Sequence, residues 1–452
     1  MNVVLISTYE LGHQPFGLAS PAARLKAAGA NVTCLDLAIV HIDQEAVAQA
    51  DLIAFYVPMH TATRIAAQFI PRIRSINPAA HLCAYGLYAP LNAEYLRGLG
   101  VSTLLGGEFE AGLVELYRRL ESGNSDRSDE ALPLILLARQ DFITPDRSGL
   151  PHLSKYAYLN RPDGCKKVVG YTETTRGCKH LCRHCPIVPV YNGQFRVVPF
   201  DVVLDDLDQQ MAAGAGHITF GDPDFFNGPG HTIPIVEKFH QLWPYATYDV
   251  TIKIEHVLKY VRWLPVLRDT SCAFITSAVE SVDDDILEIL DKRHTRADFI
   301  QAAQLLKATG LVFNPTFVAF NPWISLAGYR DLLQAIAELD LVENVAPVQY
   351  SIRLLIPAGS KLLERSDVRD LIGPFDQAAL VYPWQHPDPR VDQLYEAVLA
   401  SVTEAQAAGL TRGEIFDRVW SITQQALNED RPNPRSDRVS EPVPHLSESW
   451  YC

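Results

Sequence analysis

The chain has 452 residues, about three domains at roughly 150 residues each, and 48% of them are hydrophobic, enough to fill real cores. Lys plus Arg total 39 against 53 for Asp plus Glu, and the formal charge of −14 repels polyanions, which argues against a nucleic-acid partner. The start, MNVVLISTYELG, has no basic leader region, and no later run approaches the ~20 apolar residues of a membrane span, so a cytoplasmic chain with no membrane partner is expected.

Residues 1–120 alternate short apolar runs and helical stretches: NVVLI, SPAARLKAAG, NVTCLDL, DLIAFYV, ATRIAAQFIPRIRSI, HLCAYG and VSTLLGGEFEAGLVELYRRL. This alternation predicts an α/β, doubly wound domain, a parallel sheet with helices on both faces. Ligands of such sheets sit at the carboxyl ends of the strands, which singles out the loops STYELGHQPFG, YVPMHTA, YGLYAP and LGGEFEAG. ESGNSDRSDEA marks a boundary, and residues 121–165, rich in Pro and Gly, read as a linker. Over residues 166–360 the alternation returns with a longer period. Six candidate strands, KKVVGYT, GHITFGD, YDVTIKI, CAFITSAV, LVFNPTFVAF and PVQYSIRLLI, predict a partial barrel of six β/α units. Residues 361–427 read as helical and 428–452 as a flexible tail.

The fragment RGCKHLCRHC places Cys178, Cys182 and Cys185 in a CxxxCxxC spacing directly after the first barrel strand, at the end where barrel function resides. In a reducing compartment such a cluster binds metal or does chemistry more often than it forms disulfides. Three thiolates on one tight loop suit three irons of a [4Fe-4S] cube and leave the fourth open. An open position separates a reactive metal from a structural one. Zinc held by these thiols with Cys165, His180 or His184 is the competing reading, although structural zinc sites usually pair two separated knuckles and no second CxxC exists. A chance cluster of core cysteines is disfavoured by Lys179 and Arg183 lying between the thiols.

These residues resemble the radical S-adenosylmethionine (SAM) superfamily. The resemblance implies that the unique iron chelates the amino and carboxylate groups of SAM, and that an electron from the cluster cleaves SAM to a 5′-deoxyadenosyl radical that abstracts a substrate hydrogen. One departure is His184, which stands where an aromatic residue usually packs near adenine; an imidazole can still stack. In GDPD, the resemblance gives Gly221, Asp222 and Asp224 the SAM amino group, against the plain reading of an Asp-Pro turn. Glu280 and Ser281 would contact ribose hydroxyls or the SAM carboxylate; Ser281 also reads as a helix N-cap ahead of Asp283 to Asp285. Lys292, His294 and Thr295 match a Lys-x-His-Thr segment of related sequences. Lys253 and Arg353, with Pro357 nearby, either meet a carboxylate of SAM or substrate or are exposed, and Arg196 is similar to an arginine often found after the cluster loop. The implied partners are a small-molecule or unknown substrate and an electron donor such as flavodoxin or ferredoxin.

A doubly wound domain ahead of the barrel resembles the cobalamin-dependent branch of the superfamily, many members of which transfer methyl groups. The DxHxxG signature is absent; His13 lies in the right loop in the wrong company and reads as a surface histidine. Members of this branch can bind cobalamin without that histidine, so cobalamin stays open, with a vestigial scaffold as the alternative. The ending SESWYC, together with ETTRGCKHLCRHCPIVPVYNGQFRVV and FGDPDFFNGPGH, is similar to the radical SAM proteins with a CUAEP or CCAEP tail. On that resemblance Cys452 is a weak catalytic candidate, a redox or substrate-carrying thiol followed by a selenocysteine codon read as a stop; without it, Cys452 is an incidental terminal thiol. The expected function is a radical SAM enzyme, with a cobalamin-dependent methyltransferase and a non-catalytic iron–sulfur or zinc sensor as rivals.

Overall fold

In the computed structural model, which describes residues 1–123, 132–435 and 442–448, the apolar runs of the first domain form parallel strands β1 (Asn2–Ser7), β2 (Asn31–Asp36), β3 (Leu52–Tyr56), β4 (His81–Tyr85) and β5 (Thr103–Gly107). Their order is β2-β1-β3-β4-β5, and a short strand β6 (Ile135–Leu136) pairs in parallel with β5. The runs are continuous rather than alternating because both faces are covered. Leu18, Ala22 and Leu25 of the helix Phe16–Ala27 pack with Leu113 and Leu116 of Phe109–Glu121 on one face, and Ala66, Ile70 and Ile73 of His60–Ile76 cover the other.

The segment expected to be a linker also builds structure. It contributes β6 to the first sheet and β7 (Tyr158–Asn160) to the second, antiparallel to β8 (Lys166–Thr172). Beyond β8 comes a hairpin of β9 (Thr175–Gly177) and β10 (Phe195–Val197), then β11 (His217–Phe220), β12 (Thr247–Thr251), β13 (Cys272–Glu280) and β14 (Phe313–Phe317). Strands β8 and β11 to β14 are parallel, in the order β14-β13-β12-β11-β8. Helices Phe200–Ala212, Pro229–Leu242 and Arg296–Thr309 return the chain between strands, Leu326–Glu338 follows β14, and all four pack one continuous core around Phe220, Phe239, Ile275 and Phe317.

Two expectations need correction here. The sixth barrel strand is reduced to one parallel bridge, Phe320 with Arg353; Pro347–Ser351 instead forms a 3₁₀ turn. Pro347 has no N–H to give, and the Phe317 N–H donates to the Gln349 side chain at 2.9 Å instead of a neighbouring strand. The tail expected to be flexible has an ordered part: β15 (His445–Leu446) pairs antiparallel with β7, the Ser447 N–H donates to Tyr158 O at 2.8 Å, and Tyr9 donates to Glu448 at 3.0 Å. Helix in the region after residue 361 is concentrated in Pro389–Ala407 and Arg412–Leu427, which follow irregular chain. Cys452 lies outside the described residues. No helix among the described residues is long and apolar enough to cross a membrane.

Candidate active site

The hairpin β9–β10 pinches together the two ends of the loop that carries the thiols, with Gly177 opposite Phe195. Asp222, just past β11, accepts from the Thr174 N–H at 3.0 Å, from Thr174 Oγ1 at 2.6 Å and from Thr175 Oγ1 at 2.5 Å. Burial raises its pKa while these donors oppose the rise. Both carboxylate oxygens are thus engaged by the approach to the thiol loop. Asp222→Ala leaves buried threonine donors without partners, and an equilibrium urea titration is expected to show a loss of about 1–3 kcal/mol.

Gly221 is placed for a steric reason. A Cβ there would fall on the Tyr171 ring and hydroxyl. Gly221→Ala is expected to cost about 1–3 kcal/mol by overpacking, seen as a lowered melting temperature.

Further contacts fix the loop. Arg183 donates its N–H to Leu290 O at 2.9 Å and its guanidinium to Glu288 O and Ile289 O at 2.9 and 2.8 Å. Ser360 donates to Arg183 O at 3.0 Å. Cys178 and Cys182 are buried and Cys185 is half-buried. Burial pushes the Cys178 thiol up to about 11 and Cys185 up to about 12, so these sulfurs become thiolates when a metal displaces their protons. Lys253 Nζ lies 3.6 Å from Cys182 Sγ.

Among the described residues, the trio whose ligand atoms all lie within 4.8 Å of one another is His180, Asp224 and His256, not the three thiols. The thiols are thus spread more widely than one tetrahedral zinc, with Zn–S near 2.3 Å, would hold them. Asp224, fully buried, lies 3.1 Å from His180 Nε2 and 2.5 Å from His256 Nδ1, the second contact lacking hydrogen-bond alignment, and accepts from the Phe226 N–H at 3.1 Å. Burial alone would raise its pKa, but the two imidazoles hold the carboxyl well below the usual carboxylate range. Asp224 therefore anchors His180, between the first two thiols. The pairing with His256 had no signal in the sequence.

Across the loop, Glu280 ends β13 with φ of 69°, a left-handed conformation rare for this residue type, where the pairing with β14 also shifts register. Its carboxylate lies 3.3 Å from Lys292 Nζ and 3.1 Å from His184 Nε2. Burial opposes ionisation, but Lys292 and then His184 outweigh it and hold the carboxyl at about 2. The structure thus brings His184, Glu280 and Lys292 together beside Cys185. Ser281 is buried, and its Oγ accepts from the Asp283 N–H at 3.1 Å; the cap of the next helix is Asp283, which accepts from Asp285 and Ile286. Thr295 caps Arg296–Thr309 in a capping box with Asp298. His294 is buried and neutral, its pKa lowered to about 4 by burial and then by Lys292 and Lys253.

Buried polar atoms without hydrogen-bond partners gather around this loop: His184 Nδ1, His294 Nδ1 and Glu255 Oε2, the last near Lys253 and His180. Orphans in native interiors mark a missing partner, and a polar, zwitterionic ligand such as SAM supplies several. The residues fit a thiolate-held cluster with SAM beside it.

Lys253 is buried and faces the thiols. Arg353 turns elsewhere: its guanidinium lies over the Trp384 ring and donates to Asp392 at 2.8 Å, so it meets a carboxylate of its own chain. Arg196 donates to Leu137 O. His13, expected on the surface, is buried with its ring 5.0 Å from Tyr171.

The family model of the radical SAM superfamily matches residues 172–320, and this family uses a [4Fe-4S] cluster and SAM. The chain is 21% identical over 203 residues to the ribosomal protein uS12 methylthiotransferase of Parabacteroides distasonis, covering 40% of this chain and 44% of that one. It is 26% identical over 144 residues to a tRNA-2-methylthio-N(6)-dimethylallyladenosine synthase of Chloroherpeton thalassium, covering 29% and 31%. The chain thus spans less than half the length of these curated relatives. The cobalamin-dependent SAM radical enzyme OxsB with aqua-cobalamin bound shares the fold with a TM-score of 0.71 at 15% identity, over 90% of this chain and 67% of that one. The radical SAM methyltransferase TsrM from Kitasatospora setae, with cobalamin and a [4Fe-4S] cluster bound, has a TM-score of 0.67 at 14% identity, over 94% and 99%. The matched relatives are enzymes, and at these identities the solved structures establish the fold.

Proposed function

We propose that this protein is a radical SAM enzyme in which Cys178, Cys182 and Cys185 hold a [4Fe-4S] cluster and the surrounding polar groups hold SAM. When bound, the cluster and SAM supply an electron and a 5′-deoxyadenosyl radical that takes hydrogen from the substrate. The observation that carries this reading is one fixed loop gathering two buried thiols and one half-buried thiol, ringed by Lys253, the His184–Glu280–Lys292 group and unpartnered polar atoms.

The chain's own part is binding, orientation and shielding. Asp222 and Asp224 set the loop from below through Thr174, Thr175 and His180. Glu280, kept ionised by Lys292, offers a carboxylate to hydroxyl or ammonium groups of a nucleoside, and His184 offers a ring face and a free nitrogen. Lys253 and Lys292, both buried, balance the thiolates' charge. The proposed boundaries are residues 1–120 for the first domain and 166–360 for the barrel. The proposed partners are a small-molecule or other substrate and a protein electron donor such as flavodoxin or ferredoxin.

The test is anaerobic reconstitution with iron and sulfide, reduction with dithionite and assay for 5′-deoxyadenosine from SAM. Formation of the nucleoside supports the enzyme; a cluster whose chemistry ignores SAM supports a sensor instead.

A further inference from the structure

The sheet order β2-β1-β3-β4-β5 reverses direction between β1 and β3, and a ligand of such a sheet enters the crevice between the carboxyl ends of those two strands. In this chain that crevice is closed by the chain itself. Thr8, the residue after β1, donates from Oγ1 to the carbonyl of Ala62, in the first turn after β3, at 2.8 Å, and both residues are buried. Tyr56, at the end of β3, lays its ring against Gly17, where any Cβ would collide with it. Tyr85, at the end of β4, is fully buried and donates to Gly17 O at 2.8 Å. The Phe109 ring completes the lid, its centroid 4.9 Å from Tyr85 and 5.9 Å from Tyr56.

The barrel and connector seal the rim from the other side. Arg147 donates to Gln14 Oε1 at 2.8 Å while holding Asp206 at 2.7 Å, and Tyr156 donates to Asp36 at 2.8 Å. His13 packs its ring against Tyr171 of the barrel, with the centroids 5.0 Å apart. One cavity at the seam, beside Phe16, Ser20, Glu173 and Arg176, holds about 10 Å³, room for roughly one water. Ser7 Oγ, Glu10 Oε2 and His13 Nδ1, at the end of β1 and in the loop after it, lack hydrogen-bond partners, so the closed crevice keeps polar atoms for water or a small polar ligand. A corrin macrocycle with its nucleotide tail does not fit without breaking the Thr8–Ala62 bond and displacing the three rings.

The same end of the domain has another occupation. Arg176, two residues before Cys178, reaches across to the first domain, donating to Glu110 at 2.5 Å and to Ser20 at 3.2 Å, with Glu108 at 3.6 Å. Ser20 in turn donates to Glu110 at 2.7 Å. The guanidinium also lies over Phe16, Phe109 and Phe142, at 5.4, 5.8 and 5.1 Å from their centroids. Arg176 and both carboxylates are buried, so an unpaired partner would be costly.

From this closure we infer that the first domain carries no cobalamin and serves instead as an internal brace, its Glu108 and Glu110 holding Arg176 and through it the thiol loop. The proposal goes beyond the enzyme reading and is tested separately from it. The full chain, reconstituted with iron and sulfide, is mixed with excess hydroxocobalamin, desalted, and assayed for cobalt and iron on one sample; amide hydrogen exchange is followed with and without the corrin. Iron at cluster level with background cobalt, and unchanged exchange over residues 8–17 and 56–62, is the expected result. Near-equimolar cobalt surviving desalting, or corrin-dependent slowing of exchange in those segments, overturns it whether or not SAM is cleaved.

The brace has its own readout. Glu110→Gln and the milder Ser20→Ala, both in the first domain, are expected to lower iron per chain at matched reconstitution, Glu110→Gln several-fold and Ser20→Ala less. Parental iron content and cluster lifetime in air for both variants would show that the domain does not brace the loop.

Discussion

Changing any one of Cys178, Cys182 or Cys185 to Ala is expected to abolish 5′-deoxyadenosine formation and to strip most of the iron from the chain. The reason is stoichiometric. Three thiols on one loop leave no fourth thiol there to take over, and Lys253, whose Nζ lies 3.6 Å from Cys182 Sγ, is an ammonium donor and not a metal ligand. The loss at any single position should be as complete as at all three together, because the residues act as one unit. Iron, sulfide and zinc measured on each purified variant, beside product counts, check this. A variant that keeps full iron and product would remove that cysteine from the ligand set.

The second large effect lies at Lys292. Its ammonium is buried against Glu280 at 3.3 Å, and both side chains are nearly inaccessible. Lys292→Met leaves the Glu280 carboxylate with His184 alone, a buried charge stripped of its main partner, and is expected to cost about 3–5 kcal/mol. The double variant Glu280→Gln with Lys292→Met removes both charges together and should recover much of that loss, while SAM affinity stays weak because the carboxylate is gone. Urea titrations give the stability part of this cycle, and equilibrium binding of SAM to the reconstituted chain gives the other. Equal stability of the Lys292→Met and double variants would mean that the pair is not coupled as its geometry implies.

Much of this architecture can be read from the chain because parallel strands covered on both faces must be continuous apolar runs, as in Val3–Ile6 and Leu52–Phe55. Strands of two or three residues, β6, β7 and β15, carry no such period and exist only through their partners. The sixth barrel run, PVQYSIRLLI, is as apolar as the others; proline and a side-chain hydrogen bond, not hydrophobicity, decide that it turns. At the site, the spacing of the three cysteines and the position of Glu280 at a strand end are sequence facts. The direction of Asp222 and Asp224 is not, since both sit in one loop and differ only in which neighbour they meet, Thr174 and Thr175 in one case and His180 and His256 in the other. Likewise His13 is in a loop that looks exposed, and only the barrel wall at Tyr171 buries it.

The central claim is an iron without a protein thiol, free to take SAM. The most direct measurement is the electron paramagnetic resonance spectrum of the dithionite-reduced, reconstituted chain recorded with and without SAM, using SAM carrying nitrogen-15 in its amino group. A shifted cluster signal with hyperfine coupling to that nitrogen is the expected result; a spectrum indifferent to SAM, or a preparation in which the three thiols hold zinc, would contradict it.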